Sequence, residues 1–305
     1  MVNKIIPTDL PNVRGKYRTD VQMAKISWFR LGGTIDVLYI PKDLDDLQFF
    51  LKECDKDITV TPLGVCSNVV PSDGMIHRVV IKLGRAFNYV NIDEECSGNN
   101  RVTLKVGASS LDTNVAAFAM MNGITGLEFL SGIPGTIGGA IKMNAGAYDK
   151  DFASICDSVY AISRIGEIAS FTKEEMKFHY RGNALSDEWI FLGAKINGEY
   201  GDKKHIAEKM HYIKEQRNLT QPIQSPTSGS TFKNPPHGKK AWELIDEAGC
   251  RGLKVGGAVV SDLHCNFIIN DGGATGQDMR TLIRKIQAAV LAKSAVELET
   301  EVIFI

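Results

Sequence analysis

Gly126-Leu-Glu-Phe-Leu-Ser-Gly132-Ile133-Pro134-Gly135-Thr136-Ile-Gly138-Gly139-Ala-Ile-Lys-Met-Asn144-Ala-Gly146-Ala-Tyr148 is the least ordinary stretch of the chain. It holds six glycines, where average composition supplies about two. From Gly132 to Gly139 the residues without a Cβ stand where a backbone turns sharply and approaches another group closely, exposing N–H donors that suit a diphosphate. A tight turn between packed strands is the plainer alternative. No Gly-x-Gly-x-x-Gly occurs, which disfavours a nicotinamide Rossmann domain.

Upstream, Thr34 to Ile40 has the β-branched content of a strand, and Pro41 opens a helical segment with Leu44, Leu47, Leu51 and Cys54 on one face. Further strands are expected at Ile58 to Thr61, Arg78 to Leu83 and Arg101 to Val106. Ser110 can cap a helix that ends at Asn122-Gly123. Downstream, strands return at Asp157 to Arg164 and Trp189 to Ile196. A basic amphipathic helix from Lys204 to Arg217 then leads to Gln221-Pro222 and a new module. That module offers helices at Lys240 to Ala248 and Gly276 to Ala292, a strand at Asn266 to Asn270, and a last strand at Thr300 to Ile305.

A length of 305 residues favours two or three modules over one core. The formal charge of −1 gives no global field for a nucleic-acid backbone. No apolar run is long enough for a bilayer, and Met1 to Leu10 lacks the basic and apolar regions of a secretory signal, so the cytoplasm is the expected compartment; a monomer is the separate expectation. Six dispersed cysteines without a Cys-x-x-Cys pair argue against a zinc ribbon, and no metal is expected.

The Gly126 to Tyr148 stretch resembles the flavin-binding core of the UDP-N-acetylenolpyruvoylglucosamine reductases (UDP-N-acetylmuramate dehydrogenases). Further matches follow in order: Ser27 to Gly33, Gly64 with Ser67-Asn68, Tyr180-Arg181, Gln221-Pro222, Gly229 to Pro235, and Glu299-x-Glu301-Val302. The resemblance implies an α+β architecture: an FAD-binding fold of the p-cresol methylhydroxylase type, made of two subdomains, plus a C-terminal α+β substrate domain. The corresponding boundaries are a lead-in at 1–24, the FAD domain at 25–200 (subdomains 25–85 and 86–200), the substrate domain at 201–297 and a terminal strand at 298–305. The spacing from Tyr-Arg to Gln-Pro matches the branch without the extra substrate-domain loop.

It further implies FAD held by Gly64, Val65, Cys66, Ser67, Asn68, Gly132, Ile133, Pro134, Gly135, Thr136, Gly138, Gly139, Asn144 and Gly146, with NADPH as co-substrate. The implied reaction reduces UDP-N-acetylglucosamine enolpyruvate to UDP-N-acetylmuramate in peptidoglycan synthesis. Arg181 matches the arginine that faces the substrate carboxylate, Ser230 the proton donor, and Glu301 the acidic partner near the C-terminus. Arg217, Gln221, Lys233 and Asn234 are the expected nucleotide contacts; His264 and Asn266, near the next strand, are candidates for a supporting position behind the site, with a satisfied structural histidine as the plainer reading. Without the resemblance, the first two motifs read as a surface pair and a turn, and Glu301 as a solvent-facing strand residue.

Two positions depart from the family pattern. Cys66 replaces the second glycine of Leu-Gly-x-Gly-Ser-Asn, and Asn183 stands where serine is common. No histidine lies between Gly126 and Tyr148, so nothing there can tether flavin, and noncovalent FAD is expected. Two other classes stay open: an oxidase or dehydrogenase of the same fold acting on an alcohol or amine, and a flavin- or UDP-sugar-binding module without turnover.

Overall fold

Ile35, Val37, Leu38 and Tyr39 are all buried, so the strand Thr34–Ile40 is covered on both faces and reads as a continuous apolar run. The Asp43 carboxylate accepts the Asp46 N–H at 3.0 Å and starts the helix Leu44–Glu53, whose Leu47, Phe50 and Leu51 turn inward. This strand and helix belong to a computed structural model that describes residues 4–98 and 100–305. The strands Lys16–Gln22, Thr34–Ile40, Met75–Ile81 and Val60–Pro62 form one sheet in that order, with Val60 parallel and opposite Val79. The first was unexpected: Lys16–Gln22 is mostly exposed and polar.

The chain divides into two compact units. One comprises Met1–Thr19, Val37–Gly64 and Arg78–Gln216; the other comprises Asp20–Asp36, Val65–His77 and Arg217–Ile305. In the first, the antiparallel strands Ile168–Thr172, Cys156–Ser163, Trp189–Tyr200, Arg101–Gly107 and Val90–Ile92 lie side by side, and Ile124–Thr125 pairs with the far end of the long third strand. Leu104, Val106, Val159 and Ile196 join Val115, Ile137 and Ile141 from the covering helices Asp112–Met121 and Ile137–Met143 in one buried core. Tyr39, Phe50, Val79 and Ile81 anchor a second core of the same unit.

In the second unit, Thr227–Ser230, Phe267–Asn270, Ala258–Val260 and Lys254–Val255 make an antiparallel sheet. Its core takes Leu244 and Ile245 from the helix Ala241–Glu247, and Met279, Leu282, Ile283 and Ile286 from the helix Gly276–Ser294. The Asp73 carboxylate accepts the Gly276 and Gln277 N–H groups, both at 2.8 Å, and Thr275 completes a capping box with Asp278.

The structure departs from the sequence expectations at definable places. Ser110 does not cap the Asp112–Met121 helix, because its hydroxyl is drawn to the Tyr89 carbonyl at 3.0 Å and Leu111 stands at the cap. Gly138 and Gly139 lie inside a helix rather than in a turn. Here the backbone bonds Ile137 N–H to Ser110 O and Gly138 N–H to Ala108 O, both 2.9 Å, override glycine's low propensity. The compact units also divide differently from the expected 200/201 boundary. Residues 20–36 and 65–77 belong with the C-terminal residues, held by Gly33 N–H to Ser72 O (2.8 Å), Ser72 N–H to Ile305 O (2.7 Å) and the Asn270 side-chain amide to Phe29 O (3.0 Å). Among the described residues, no helix is long and apolar enough to cross a membrane.

Candidate active site

The glycine-rich segment is zippered along one edge to residues 108–112. Besides the two bonds above, Gly135 O accepts the Asp112 N–H at 3.2 Å. The N–H groups of Ile137 and Gly138 are therefore committed to the protein, which narrows the donors available to a diphosphate. A Cβ at Gly64 would meet Thr136 Oγ1 at 2.5 Å, so this close approach requires glycine. Gly139 is different: its Cβ would find only Thr136 Oγ1, at an ordinary 3.8 Å, although glycine in a helix costs about 1 kcal/mol against alanine. Packing within the protein does not explain Gly139, whereas a ligand lying against bare backbone does. The residues fit a dinucleotide cofactor here.

Asn144 ends the helix in the left-handed conformation (φ 39°), and the residue is 3% exposed. Its amide donates to Asp151 Oδ2 and to His179 O, both at 3.0 Å, and its Oδ1 accepts the Ala153 N–H at 2.9 Å. This expected cofactor residue thus braces the protein. The brace leads to Arg181, because His179 and Gly182 exchange backbone hydrogen bonds (3.0 and 3.1 Å) around the two-residue turn Tyr180-Arg181. Arg181 sits at φ 58°, a conformation that favours glycine, with its guanidinium 5.0 Å from the Tyr180 ring centroid. Asn183, the departure from serine, donates to Ile141 O (3.2 Å) and Lys142 O (3.0 Å), capping the same helix end. Two asparagines fasten the Arg181 turn to the glycine segment. Gly146 is needed for a tight strand pair, since its Cβ would meet Lys150 O at 2.7 Å.

One buried carboxyl escaped the sequence reading. Asp112 is fully buried in the first turn of its helix, and neither oxygen has a hydrogen-bond partner among the described residues. Burial pushes it well above the usual carboxylate range. Its only sequence signal is an acidic residue next to an apolar one at a helix start.

In the second unit, Cys66 occupies the left-handed region at φ 55° and is buried. The backbone keeps the glycine-type conformation of the family pattern despite the added side chain. Asn68 donates its amide to Glu301 O at 3.0 Å and accepts the Ile303 N–H at its own carbonyl, also at 3.0 Å, beside the parallel pair Val69–Val70 and Ile303–Phe304.

The structure brings Ser230 and Glu301 together within this unit. Ser230 ends the strand Thr227–Ser230 opposite Phe267, and the next carbonyl, Thr231 O, accepts the Glu301 N–H at 2.8 Å. Phe232 bridges Thr300, and Lys233 N–H bonds Glu299 O at 2.9 Å. Lys233 Nζ reaches Glu299 at 3.4 Å, an exposed pair of little energetic weight. Asn234 Oδ1 accepts the Ala241 N–H at 3.0 Å and so serves the start of a helix. Arg217 Nε donates to Gln221 Oε1 at 3.2 Å, beside a 330 Å³ cavity lined by Asn218, Gln221, Pro222, Ile223, Gln224, Ser225 and Leu263. His264 is half buried among Trp242 and Phe267, and burial pushes its pKa down, which suits a neutral ring whose Nδ1 accepts the Asn266 N–H at 3.2 Å.

Comparison with known proteins shows the family of the chain. The model of an FAD binding domain matches residues 35–172, and that of the UDP-N-acetylenolpyruvoylglucosamine reductase C-terminal domain matches residues 221–305. The reductase of that name from Anaplasma marginale is 44% identical over 297 residues, covering 97% of this chain and 96% of the relative. The one from Rhodospirillum rubrum is also 44% identical, covering 96% and 91%. The crystal structure of the Thermus caldophilus reductase superposes with a TM-score of 0.81 at 29% identity over 96% of this chain and 99% of that one. The 6-hydroxy-D-nicotine oxidase of Arthrobacter nicotinovorans, at 10% identity and a TM-score of 0.54, shares the fold alone. With its p-cresol methylhydroxylase-type FAD fold and its own C-terminal domain, the chain belongs to the UDP-N-acetylenolpyruvoylglucosamine reductases, a family of FAD-dependent oxidoreductases.

Proposed function

We propose that the chain reduces UDP-N-acetylglucosamine enolpyruvate to UDP-N-acetylmuramate with NADPH, a step in peptidoglycan synthesis. FAD, when bound, supplies the hydride chemistry that links the nicotinamide to the enolpyruvyl methylene carbon. The protein's own task is electrostatic and protonic. Hydride arrival leaves negative charge on the neighbouring carbon and its carboxylate, so the protein must stabilise an enolate and then protonate it.

Arg181 is assigned to the carboxylate: its forked, permanently charged guanidinium suits oxygens that gain charge in the transition state. Ser230 donates its hydroxyl proton to the carbanionic carbon and regains one from solvent. Glu301 polarises that exchange. Gly64 through Asn68, Gly132 through Thr136, Gly138, Gly139, Asn144 and Gly146 are the residues proposed to hold FAD noncovalently, while Arg217, Gln221, Lys233 and Asn234 are proposed for the nucleotide. The reaction is proposed for the cytoplasm.

The observation that supports the assignment is the Thr231 O to Glu301 N–H bond of 2.8 Å, which holds the backbone of the proposed acid against the residue that follows the proposed donor. In Ser230→Ala, bound FAD should still be reduced by NADPH, while its reoxidation by the enolpyruvyl substrate falls by about 100-fold or more. Normal steady-state turnover would remove Ser230 from the role.

A further inference from the structure

The strand that ends at Ser230 does not fix its own end. Gly229 sits at φ 79°, and the pairing with Phe267–Asn270 shifts register between Thr227 and Ser230. A bulge of this kind re-aims a side chain but leaves the ladder locally broken. What replaces the ladder is one side chain. Asn266 Oδ1 accepts the Phe232 N–H at 2.9 Å, Asn266 Nδ2 donates to Phe232 O at 2.8 Å, and the Asn266 carbonyl accepts the Thr231 N–H at 2.7 Å.

We infer that Asn266 is a positioning residue for Ser230, its side-chain amide imitating a neighbouring strand so that the Ser230–Phe232 segment keeps one geometry beside Glu301. The inference rests on the proton-donor role proposed for Ser230. An amide is the side-chain group that offers a donor and an acceptor with the spacing of a peptide unit, so it can satisfy both polar groups of one residue. Both partners are buried, Asn266 at 5% exposure and Phe232 at 1%, where an unmade bond costs more than a made one gains. Asn266 is itself held, its N–H bonded to His264 Nδ1 at 3.2 Å. The opposite edge of the same segment bonds Glu301, so loosening Asn266 frees Ser230 on one side only.

The test uses the FAD-loaded enzyme and separates its two half-reactions by anaerobic stopped flow. Asn266→Ala should leave reduction of bound FAD by NADPH within about twofold of wild type, while reoxidation by UDP-N-acetylglucosamine enolpyruvate slows by about 10- to 100-fold. The solvent isotope effect on reoxidation should rise as proton delivery becomes limiting. In a Ser230→Ala background the same substitution should add less than about twofold, because the two residues act as a unit.

If Asn266→Ala does not fold, Asn266→Asp keeps the shape and the acceptor for the Phe232 N–H but loses the donor, and should show the same selective loss. Reoxidation at the wild-type rate in a folded variant, equal slowing of both half-reactions, or full additivity with Ser230→Ala would each overturn the inference. Retained turnover in Ser230→Ala alone would sink the proton-donor reading instead, so the two failures are distinguishable.

Discussion

Cys66 and Arg181 share a backbone anomaly: each is a side chain in the left-handed region, at φ 55° and 58°. That conformation costs an L-residue roughly 1–2 kcal/mol. In ordinary extended or helical backbone, alanine is the more stabilising replacement; at these two positions the order reverses. Cys66→Gly is therefore expected to be more stable than Cys66→Ala by about 1 kcal/mol, and Arg181→Gly more stable than Arg181→Ala by a similar amount, read as denaturation midpoints. Alanine variants at least as stable as the glycine ones would show that neither site is strained. Both Arg181 variants should lose turnover of the carboxylate substrate, so the strained turn is kept for chemistry at a cost in stability.

Asp112 carries a second residue-scale consequence. Its folded-state pKa lies above its unfolded value because burial disfavours the charged form, so the fold binds a proton that the unfolded chain releases. The cost is absent below the unfolded pKa of about 4 and grows as pH rises towards the folded value. Asp112→Asn, neutral throughout, should melt higher than wild type at pH 7.5 and close to it at pH 4. A stability difference that is flat across this range would mean that Asp112 stays charged in the fold.

At the scale of elements, the helix Ile137–Met143 is short, contains two adjacent glycines and ends in a left-handed asparagine, so its stability comes from its neighbours. Asn183 satisfies two of its last carbonyls. Asn183→Ala should lower stability by about 1–3 kcal/mol, the cost of leaving a buried acceptor unmade, whereas Asn183→Ser should recover part of it. Equal stability of all three proteins would deny the cap. The same helix shows where local sequence signals end: Gly138-Gly139 signals a turn, and bonds to the sequence-distant Ala108 and Ser110 hold it as a helix. The strand Thr227–Ser230 was missed for a related reason, since Thr-Ser-Gly-Ser has little apolar content and pairs through a bulge. By contrast, Thr34–Ile40 and Leu44–Glu53 were legible because a β-branched apolar run and the helical spacing of Leu44, Leu47 and Leu51 are local signals.

For the whole molecule, the division of the chain was the least legible feature. Nothing in the periodicity of residues 20–36 or 65–77 reveals that they belong with residues 217–305, because that membership is fixed by hydrogen bonds such as Ser72 to Ile305. The candidate residues were legible only as a series of family motifs, and the backbone bond from Glu301 to Thr231, the neighbour of Ser230, has no signal in the sequence. A ligand that binds only the folded chain stabilises it by mass action, about 2.7 kcal/mol at one hundred times its dissociation constant. For a chain of this size that corresponds to roughly 4 °C in melting temperature. Protein stripped of flavin should therefore melt lower by about that much and recover with added FAD, but not with NADPH alone. A melting temperature indifferent to FAD at millimolar concentration would mean that Gly64 and Gly139 do not form a flavin surface, and that the bare backbone at Gly139 needs another explanation.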